Sequence, residues 1–287
     1  MAAVARSYLY VPGDRADLLD KAAGRGADAL VLDLEDAVTP ARKAQARETV
    51  AGYLGATAPA AGPELWVRIN SDQVEADVEV LSPAAAGVWV PKAEPDLLAE
   101  VDAALTRVQR RLGPDAPAFR VVALIETARG VLTAPRVAEA PRVLRLGLGE
   151  ADLAGELGLQ PGPERAEFAP IRSQVVVASA AAGITPPVGP VETTLRDPER
   201  LEQTTRALLR QGFRARSAIH PGQIATVNEV FTPTEAEVAS ARAVLEALER
   251  AERGGSGVAT DAGGRLLDRA VVRAAAEVVR RAEASAG

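Results

Sequence analysis

The chain has no cysteine and a single histidine, His220, among its 287 residues. The lack of cysteine excludes disulfides, thiol nucleophiles and thiolate-bound metals, and one histidine excludes a multi-histidine metal site. Carboxylate oxygens are the metal ligands that remain. Because oxygen ligands suit hard cations, we expect any metal cofactor to be Mg²⁺, with Mn²⁺ as the second possibility.

Aromatic residues are also scarce, at 3% of the chain, and acids outnumber bases, so the formal net charge is −6. An acidic chain argues against a nucleic-acid partner. No apolar run approaches the length of a membrane span, and the first residues do not resemble a signal peptide. We therefore expect a soluble cytoplasmic protein without a nucleic-acid or membrane partner.

What the chain does have is a series of short apolar runs bounded by glycine, proline or charged residues. Such runs predict buried strands of a parallel sheet. They cover residues 7–11, 29–32, 65–69, 87–90, 121–125, 143–148, 215–219 and, weakened by three prolines, 184–191. Helical segments alternate with them at a spacing of roughly 25–35 residues, which predicts an α/β fold of the (β/α)₈ TIM-barrel type.

The barrel is predicted to occupy residues 1–233, and residues 234–287 are predicted to form a C-terminal helical extension. Two helical stretches flank a glycine-rich segment at residues 254–264, and no ninth strand is expected. The extension would pack on the barrel or on a neighbouring subunit, which favours a homo-oligomer. Near the other end of the chain, Asp14 is expected to cap a helix over residues 16–23.

Two of the apolar runs lead into carboxylates, Glu126 and Asp152. In α/β proteins the carboxyl ends of parallel strands meet at one edge of the sheet, where the chemistry is placed. Two carboxylates at that edge could hold one hard cation, with water and substrate oxygens completing its shell. The alternative is that both residues are helix N-caps or first-turn acids.

Other charged residues also follow predicted strands. Arg68 could bind a substrate carboxylate with its guanidinium fork, or could form a structural ion pair with Glu35 or Asp36. Lys92 could be a cation of the pocket, but the pattern favours an ion pair with an acid at the end of a strand. His220 could carry protons, although a histidine before proline at a strand end more often has a structural role.

These residues lie in motifs whose order along the chain is typical of one family. The motifs are Arg6-Ser7, Val11-Pro12-Gly13, Leu32-Asp33-Leu34-Glu35-Asp36-Ala37-Val38, Val67-Arg68-Ile69-Asn70, Val90-Pro91-Lys92, Ile125-Glu126-Thr127-Ala128-Arg129-Gly130, Gly149-Glu150-Ala151-Asp152-Leu153 and Ala218-Ile219-His220-Pro221-Gly222-Gln223-Ile224. With them the chain resembles the citrate lyase β-subunit-like proteins of the HpcH/HpaI aldolase superfamily. That group includes malyl-CoA and citramalyl-CoA lyases and malyl-CoA thioesterases.

The resemblance implies a TIM barrel that assembles as a trimer or hexamer and binds Mg²⁺ through Glu126 and Asp152. It also implies that Arg68 grips the carboxylate of the hydroxyacid or ketoacid. Asp36 joins these three residues in the expected catalytic set, and Glu35 and Asp36 are expected to hold the waters of the metal.

The same resemblance implies a second group of residues, which bind the acyl-CoA. The positions that match Tyr10, Arg15 and Lys21 contact the CoA moiety or its phosphates. Ile219 and His220 match positions that line the substrate site.

The implied reaction is the reversible cleavage of a short 3-hydroxy-carboxyacyl-CoA, such as malyl-, citramalyl- or citryl-CoA. The products are acetyl-CoA, or a homologue, and a 2-keto acid. Three alternatives stay open: a thioesterase on the same ester, a class II pyruvate aldolase that does not use CoA, and a non-catalytic CoA-binding protein or subunit of a larger complex.

The chain departs from the family pattern in two places. Many relatives carry an acid near the C-terminus in a loop that reaches the neighbouring subunit, and the matching position here is Gly263. Asp261 could replace that acid only if the loop shifts by two residues. After the seventh strand, where relatives often have an aspartate, this chain has prolines at 186, 187 and 190. The general base and the acyl preference are therefore open.

Overall fold

The computed structural model describes residues 5–58, 62–253, 259–260 and 266–286. Eight parallel strands, each hydrogen-bonded to its sequence neighbours and the last to the first, form a closed barrel. They are β1 Ser7–Pro12, β2 Ala29–Asp33, β3 Glu64–Arg68, β4 Ala85–Val90, β5 Arg120–Ile125, β6 Val143–Leu148, β7 Thr185–Gly189 and β8 Ala215–Ala218. The predicted TIM barrel is confirmed.

Helices connect the strands and cover the barrel. The helices of this part of the chain are α1 Ala16–Ala22, α2 Lys43–Ala56, α3 Val74–Val78, α4 Pro95–Leu112, α5 Ala128–Ala138, α6 Glu150–Leu157, α7 Ala169–Ala181, α8 Pro198–Arg210 and α9 Ile224–Phe231. In α4 the buried residues recur at helical spacing, at Leu98, Val101, Leu105 and Val108, so one face joins the core while the other carries charge.

The chain folds as two compact units, with the division between Asn228 and Glu229. The second unit contains α10 Glu235–Arg253 and α11 Arg269–Ala286. It also contains an antiparallel pair of two-residue strands, β9 Ala259–Thr260 and β10 Leu266–Leu267. The two expected helices are present, but the expectation that no strand follows the eighth is wrong. The domain boundary at residue 233 stays a prediction.

Four of the nine aromatic side chains, including both tryptophans, lie inside the barrel. Both tryptophans, Trp66 and Trp89, are fully buried there with Tyr8. The ring of Trp89 meets Tyr8 edge-on at 5.0 Å and Tyr10 at 5.7 Å. Large rings fill the space between eight strands that small side chains would leave empty, so the interior is a packed core and not a channel.

Strand β7 forms in spite of its prolines, and arginine side chains bind the carbonyl groups of Pro186 in the strand and of Pro190 just after it. Arg145, which is fully buried, donates from Nε and Nη2 to the Pro186 carbonyl at 2.9 and 2.6 Å. Arg216 donates from Nε to the Pro190 carbonyl at 3.0 Å. The prolines remove N–H donors from the strand ladder, but their carbonyl groups still accept hydrogen bonds, here from the two arginines.

Helix α1 begins differently from the sequence-based expectation. Its N-cap residue is Arg15, whose side chain makes no capping hydrogen bond. Asp14 instead pairs with Arg42 Nη1 at 2.8 Å. The prediction of an Asp14 cap is therefore wrong, because the Asp14 carboxylate pairs with a cation that is distant in sequence.

None of the helices in the described part of the chain combines the length and the apolar character that a membrane-spanning helix requires.

Candidate active site

Asp33 is the buried acid around which the β2–α2 turn is built. It ends β2 and is 1% exposed. Its Oδ1 accepts a hydrogen bond from the Glu35 backbone N–H at 2.8 Å, and its Oδ2 accepts one from Ala37 N–H at 3.1 Å. The turn therefore holds Glu35 and Asp36 at the carboxyl edge of the barrel.

Arg68, at the end of the neighbouring strand β3, is bound by three acids. Nε and Nη2 donate to the two oxygens of Asp33 at 2.7 and 2.5 Å. Nη1 lies 2.8 Å from Glu35 Oε2 and 3.3 Å from Asp36 Oδ2. Burial lowers the pKa of Arg68, but the hydrogen bonds and charge of Asp33 outweigh it, so the pKa lies above its ordinary value.

The two structural partners expected for Arg68, Glu35 and Asp36, are thus both present. The bidentate partner, however, is Asp33. Sequence reasoning gave Asp33 no separate role. The signal that could have identified it is its place as the last residue of a buried strand beside the strand of Arg68, since a buried charge requires a partner.

Lys92, just after β4, connects two acids. Its ammonium donates to Glu35 Oε1 at 2.8 Å, and its backbone N–H donates to Glu126 Oε1 at 2.9 Å. Its φ of 49° lies in the left-handed region that residues other than glycine rarely occupy. The expected ion pair of Lys92 with an acid at a strand end is found.

Glu126 directly follows β5 and is 4% exposed. Burial, followed by the negative charges of Asp152 and Glu35, raises the pKa of Glu126 to about 8. Asp152 lies in the first turn of α6 and is exposed. The structure therefore brings the two expected metal ligands close enough for their charges to interact.

The alternative explanation of these two acids holds for only one of them. Thr127, and not Glu126, is the N-cap of α5, because its side chain accepts a hydrogen bond from Gly130 N–H at 2.9 Å. Asp152 does occupy a first turn, where a negative charge is favoured by the helix dipole. Glu126 has no such helix-related reason to be buried.

The donor set fits Mg²⁺ or a similar hard cation. Among the described residues there is no group of three acids or histidines that could enclose a metal. One or two carboxylates with water and substrate oxygens are, however, the usual shell of protein-bound Mg²⁺. The cluster of Asp33, Glu35, Asp36, Glu126 and Asp152 also contains more acids than cations, so a bound cation would relieve its excess negative charge.

The residues expected to bind CoA are distributed between the barrel interior and the surface. Tyr10 lies inside, with the Arg68 guanidinium 4.9 Å from its ring centre, and burial raises its pKa. Arg15 and Lys21 belong to α1 and the turn before it, and both are exposed. Arg15 pairs with Asp17 at 2.8 Å.

Ile219 and His220 follow β8 and are exposed. His220 caps a short 3₁₀ turn: its Nδ1 accepts a hydrogen bond from Gly222 N–H at 3.0 Å. Gln223 Oε1 accepts from the backbone N–H groups of both residues, at 2.9 and 3.2 Å. The structural role favoured for His220 is therefore present. Gly263 and Asp261 lie outside the described residues.

Family comparison gives a match of residues 6–221 to the model of HpcH/HpaI aldolase/citrate lyase. The chain belongs to this family. The resemblance inferred from the motifs and the prediction of an aldolase-type carbon–carbon lyase are thereby confirmed at the level of the family.

Individual relatives extend the likeness over nearly the whole chain. The (3S)-malyl-CoA thioesterase of Cereibacter sphaeroides is 35% identical over 285 residues, which are 98% of this chain and 95% of that protein. The L-malyl-CoA/beta-methylmalyl-CoA lyase of the same species is 33% identical over 309 residues, with 97% and 94% covered.

The fold is also similar to that of a solved relative. CitE from Mycobacterium tuberculosis, in complex with magnesium, acetoacetate and coenzyme A, is 30% identical and superposes with a TM-score of 0.76. The comparison covers 99% of this chain and all of that one.

Proposed function

We propose that the protein is a Mg²⁺-dependent carbon–carbon lyase for a short 3-hydroxy-carboxyacyl-CoA of the malyl-, citramalyl- or citryl-CoA type. Its products would be acetyl-CoA, or a homologue, and a 2-keto acid. The observation that carries the proposal is the buried carboxylate of Glu126 beside Asp152, within a cluster that has an excess of acids. The malyl-CoA lyase relative and the magnesium and CoA of the CitE complex support it.

In this proposal Glu126 and Asp152 hold the cation, and Glu35 and Asp36 hold its waters. When bound, Mg²⁺ would act as a Lewis acid that acidifies the substrate hydroxyl and stabilises negative charge on the ketoacid oxygen. Mn²⁺ could serve in its place, because it also accepts oxygen ligands.

Arg68 orients the carboxylate of the substrate and stabilises charge in the transition state. The guanidinium is locked between Asp33 and the ring of Tyr10, so it is held rigid before the substrate arrives. A base takes the hydroxyl proton, the carbon–carbon bond breaks, and its electron pair forms the thioester enolate, which is then protonated. Asp36 has a side chain that is 69% exposed, so it is accessible to a substrate.

For the CoA part of the substrate we propose Tyr10, Arg15 and Lys21 as contacts, together with Ile219 and His220. Arg15 and Lys21 are exposed cations, which suits the phosphates of a CoA tail. We also propose a homo-oligomer, a trimer or a hexamer, which light scattering of the purified protein would measure.

A thioesterase acting on the same ester is the second candidate. The 35% identity to malyl-CoA thioesterases over 98% of the chain favours it. The two reactions share the substrate and differ in the bond that breaks, so only the products distinguish them.

The test is a mass-spectrometric product assay with Mg²⁺ and malyl-, β-methylmalyl-, citramalyl- and citryl-CoA. Acetyl-CoA or propionyl-CoA together with a 2-keto acid would support the lyase. A free hydroxyacid with free CoA would replace it by the thioesterase. Loss of turnover in Glu126→Gln and Asp152→Asn, with the fold retained, would support the metal site, and full activity in both variants would contradict it.

A further inference from the structure

Lys43, the first residue of α2, places its ammonium group behind the acidic turn of the site. An ammonium has three N–H donors. The Nζ atom lies 2.6 Å from the Leu34 carbonyl, 2.7 Å from the Glu35 carbonyl and 2.7 Å from Asn70 Oδ1. Each donor thus has an acceptor, and two of them fix consecutive carbonyl groups of the turn.

A second layer of hydrogen bonds holds Lys43 in turn. Asn70 donates from Nδ2 to the Leu34 carbonyl at 2.9 Å and to Asp77 Oδ2 at 2.7 Å. Asp77 is fully buried and pairs with Arg47 Nε at 2.6 Å. Lys43 and Arg47 are four residues apart on α2 and therefore share a helix face. The network spans α2, α3 and the end of β3.

Lys43 is also linked, through Glu35 and Lys92, to the candidate metal ligand Glu126. Its hydrogen bond to the Glu35 carbonyl holds the carbonyl group of that residue. The backbone N–H of Glu35 is held separately, because it donates to Asp33 Oδ1. The Glu35 side chain accepts from Lys92 Nζ, and the Lys92 N–H donates to Glu126. Three hydrogen bonds, joined by the covalent frameworks of Glu35 and Lys92, thus form a line from Lys43 to Glu126.

We propose that Lys43 is a positioning residue for the metal site, which sets the orientation of Glu126 through Glu35 and Lys92. The inference rests on the proposed function, because it concerns the Mg²⁺ affinity of the same site. It adds a residue that touches neither metal nor substrate and that no motif indicated.

Removing the ammonium would leave each of the two carbonyl groups with one hydrogen bond, from Val38 N–H at 3.0 Å for Glu35 and from Asn70 Nδ2 at 2.9 Å for Leu34. Both carbonyl groups would then be held only by neutral donors, which bind more weakly than an ammonium, so the turn could rotate. Such a rotation would move the Glu35 carboxylate away from Lys92. Outer contacts of this kind change metal affinity by about 10–100-fold, and we expect about a 10-fold loss.

The experiment is a calorimetric titration of the metal-free protein with MgCl₂, combined with a thermal melt. Lys43→Met is compared with Arg142→Met. Arg142 donates to Asp102 at 2.5 Å and to Thr106 at 3.0 Å just before β6, at the opposite edge of the barrel from Glu126. Both substitutions remove a well-bonded cation and lower the melting temperature, but only Lys43→Met should weaken Mg²⁺ binding.

A double-mutant cycle adds a readout that a purely structural role would not change. In the Glu35→Gln background the line to Lys92 is already weakened, so Lys43→Met should cause little further loss of Mg²⁺ affinity. If Lys43→Met does not fold, Lys43→Arg replaces it. Arginine keeps the charge, but its planar fork cannot reproduce the three-way contact, so weaker Mg²⁺ binding is expected at nearly unchanged melting temperature.

The outcomes separate this inference from the function on which it rests. Wild-type protein that binds no Mg²⁺ would overturn the metal site and the inference together. Wild-type binding that is unchanged in Lys43→Met or Lys43→Arg, or that falls equally in Arg142→Met, would overturn the inference alone. Additive losses in the cycle would show that Lys43 does not act through Glu35.

Discussion

The backbone of Gly149 lies directly against the side chain of Glu126. A Cβ atom at position 149 would be 2.6 Å from Glu126 Oε2 and 2.7 Å from Glu126 Cβ. The Gly149 N–H also donates to the Ile125 carbonyl at 3.0 Å, which fixes the approach. The backbone just after β6 thus limits, by steric contact, where the Glu126 carboxylate can lie.

We predict that Gly149→Ala displaces Glu126 and weakens Mg²⁺ binding by at least about 10-fold, the scale of disturbed metal-site contacts. The new methyl group cannot move away, because the backbone hydrogen bond holds it. Calorimetric titration with MgCl₂ measures the loss.

The matched control for this variant is Gly155→Ala in α6, where an added Cβ meets no atom within 4 Å. That substitution should leave Mg²⁺ binding unchanged and stabilise the helix by about 0.5–1 kcal/mol. Equal Mg²⁺ affinity in Gly149→Ala and the wild type would contradict the assigned position of Glu126.

A second prediction concerns the pH dependence of the metal-free protein. The pKa of Glu126 in the fold, about 8, lies above its ordinary value of 4.5. The folded state therefore binds more protons between these two pH values, and its stability falls as the pH rises through that window. Glu126→Gln removes this titration, so the variant should gain stability relative to the wild type, by on the order of 2 kcal/mol at pH 8.5.

Thermal melts in EDTA at pH 5 and pH 8.5 check this difference, which should be small at pH 5 and large at pH 8.5. Added Mg²⁺ should reverse the order, because only the wild type gains stability from binding. A difference between the two proteins that does not change with pH would show that Glu126 is not the titrating group.

The third prediction is that Arg68→Met destabilises the protein by about 3–5 kcal/mol, since it leaves Asp33 buried without its cation and Glu35 paired with Lys92 alone. Urea unfolding measures the change. Arg107→Met is the control, because its pair with Glu75 is exposed and should contribute under about 0.5 kcal/mol. A similar small effect for both arginines would contradict the role of Arg68 as the centre of the acidic cluster.

The fourth prediction concerns CoA recognition. Arg15→Ala and Lys21→Ala should raise the KM for the acyl-CoA several-fold and leave kcat nearly unchanged, because both side chains are exposed cations and neither is proposed to hold the metal or the reacting carboxylate. The same variants assayed with an acyl-pantetheine, which lacks the nucleotide, should match the wild type. Arg25→Ala, an exposed cation of the same region to which no role is given, serves as control. A fall in kcat with both substrates would place these residues elsewhere in the mechanism.

Much of the fold follows from local pattern. The apolar runs located all eight barrel strands, and β6 was placed at both ends, because a strand buried on both faces is largely apolar and Arg145 is the one charged residue of this run. Strand β7, the least certain of the eight from its sequence, is also present in the structure. Local pattern could not show that Arg145 and Arg216 would bind the carbonyls of Pro186 and Pro190.

The sequence by itself determined the order of the eight barrel strands, the family, and the presence of an acid after β5. These depend on neighbouring residues and on motif order. Only the tertiary structure decided which charges pair. Asp33 and Arg68, 35 positions apart, meet because their strands are adjacent in the barrel. Lys43 reaches Asn70 across 27 positions for the same kind of reason. A charge indicates that a partner is needed, but its identity depends on distances that only the closed barrel fixes.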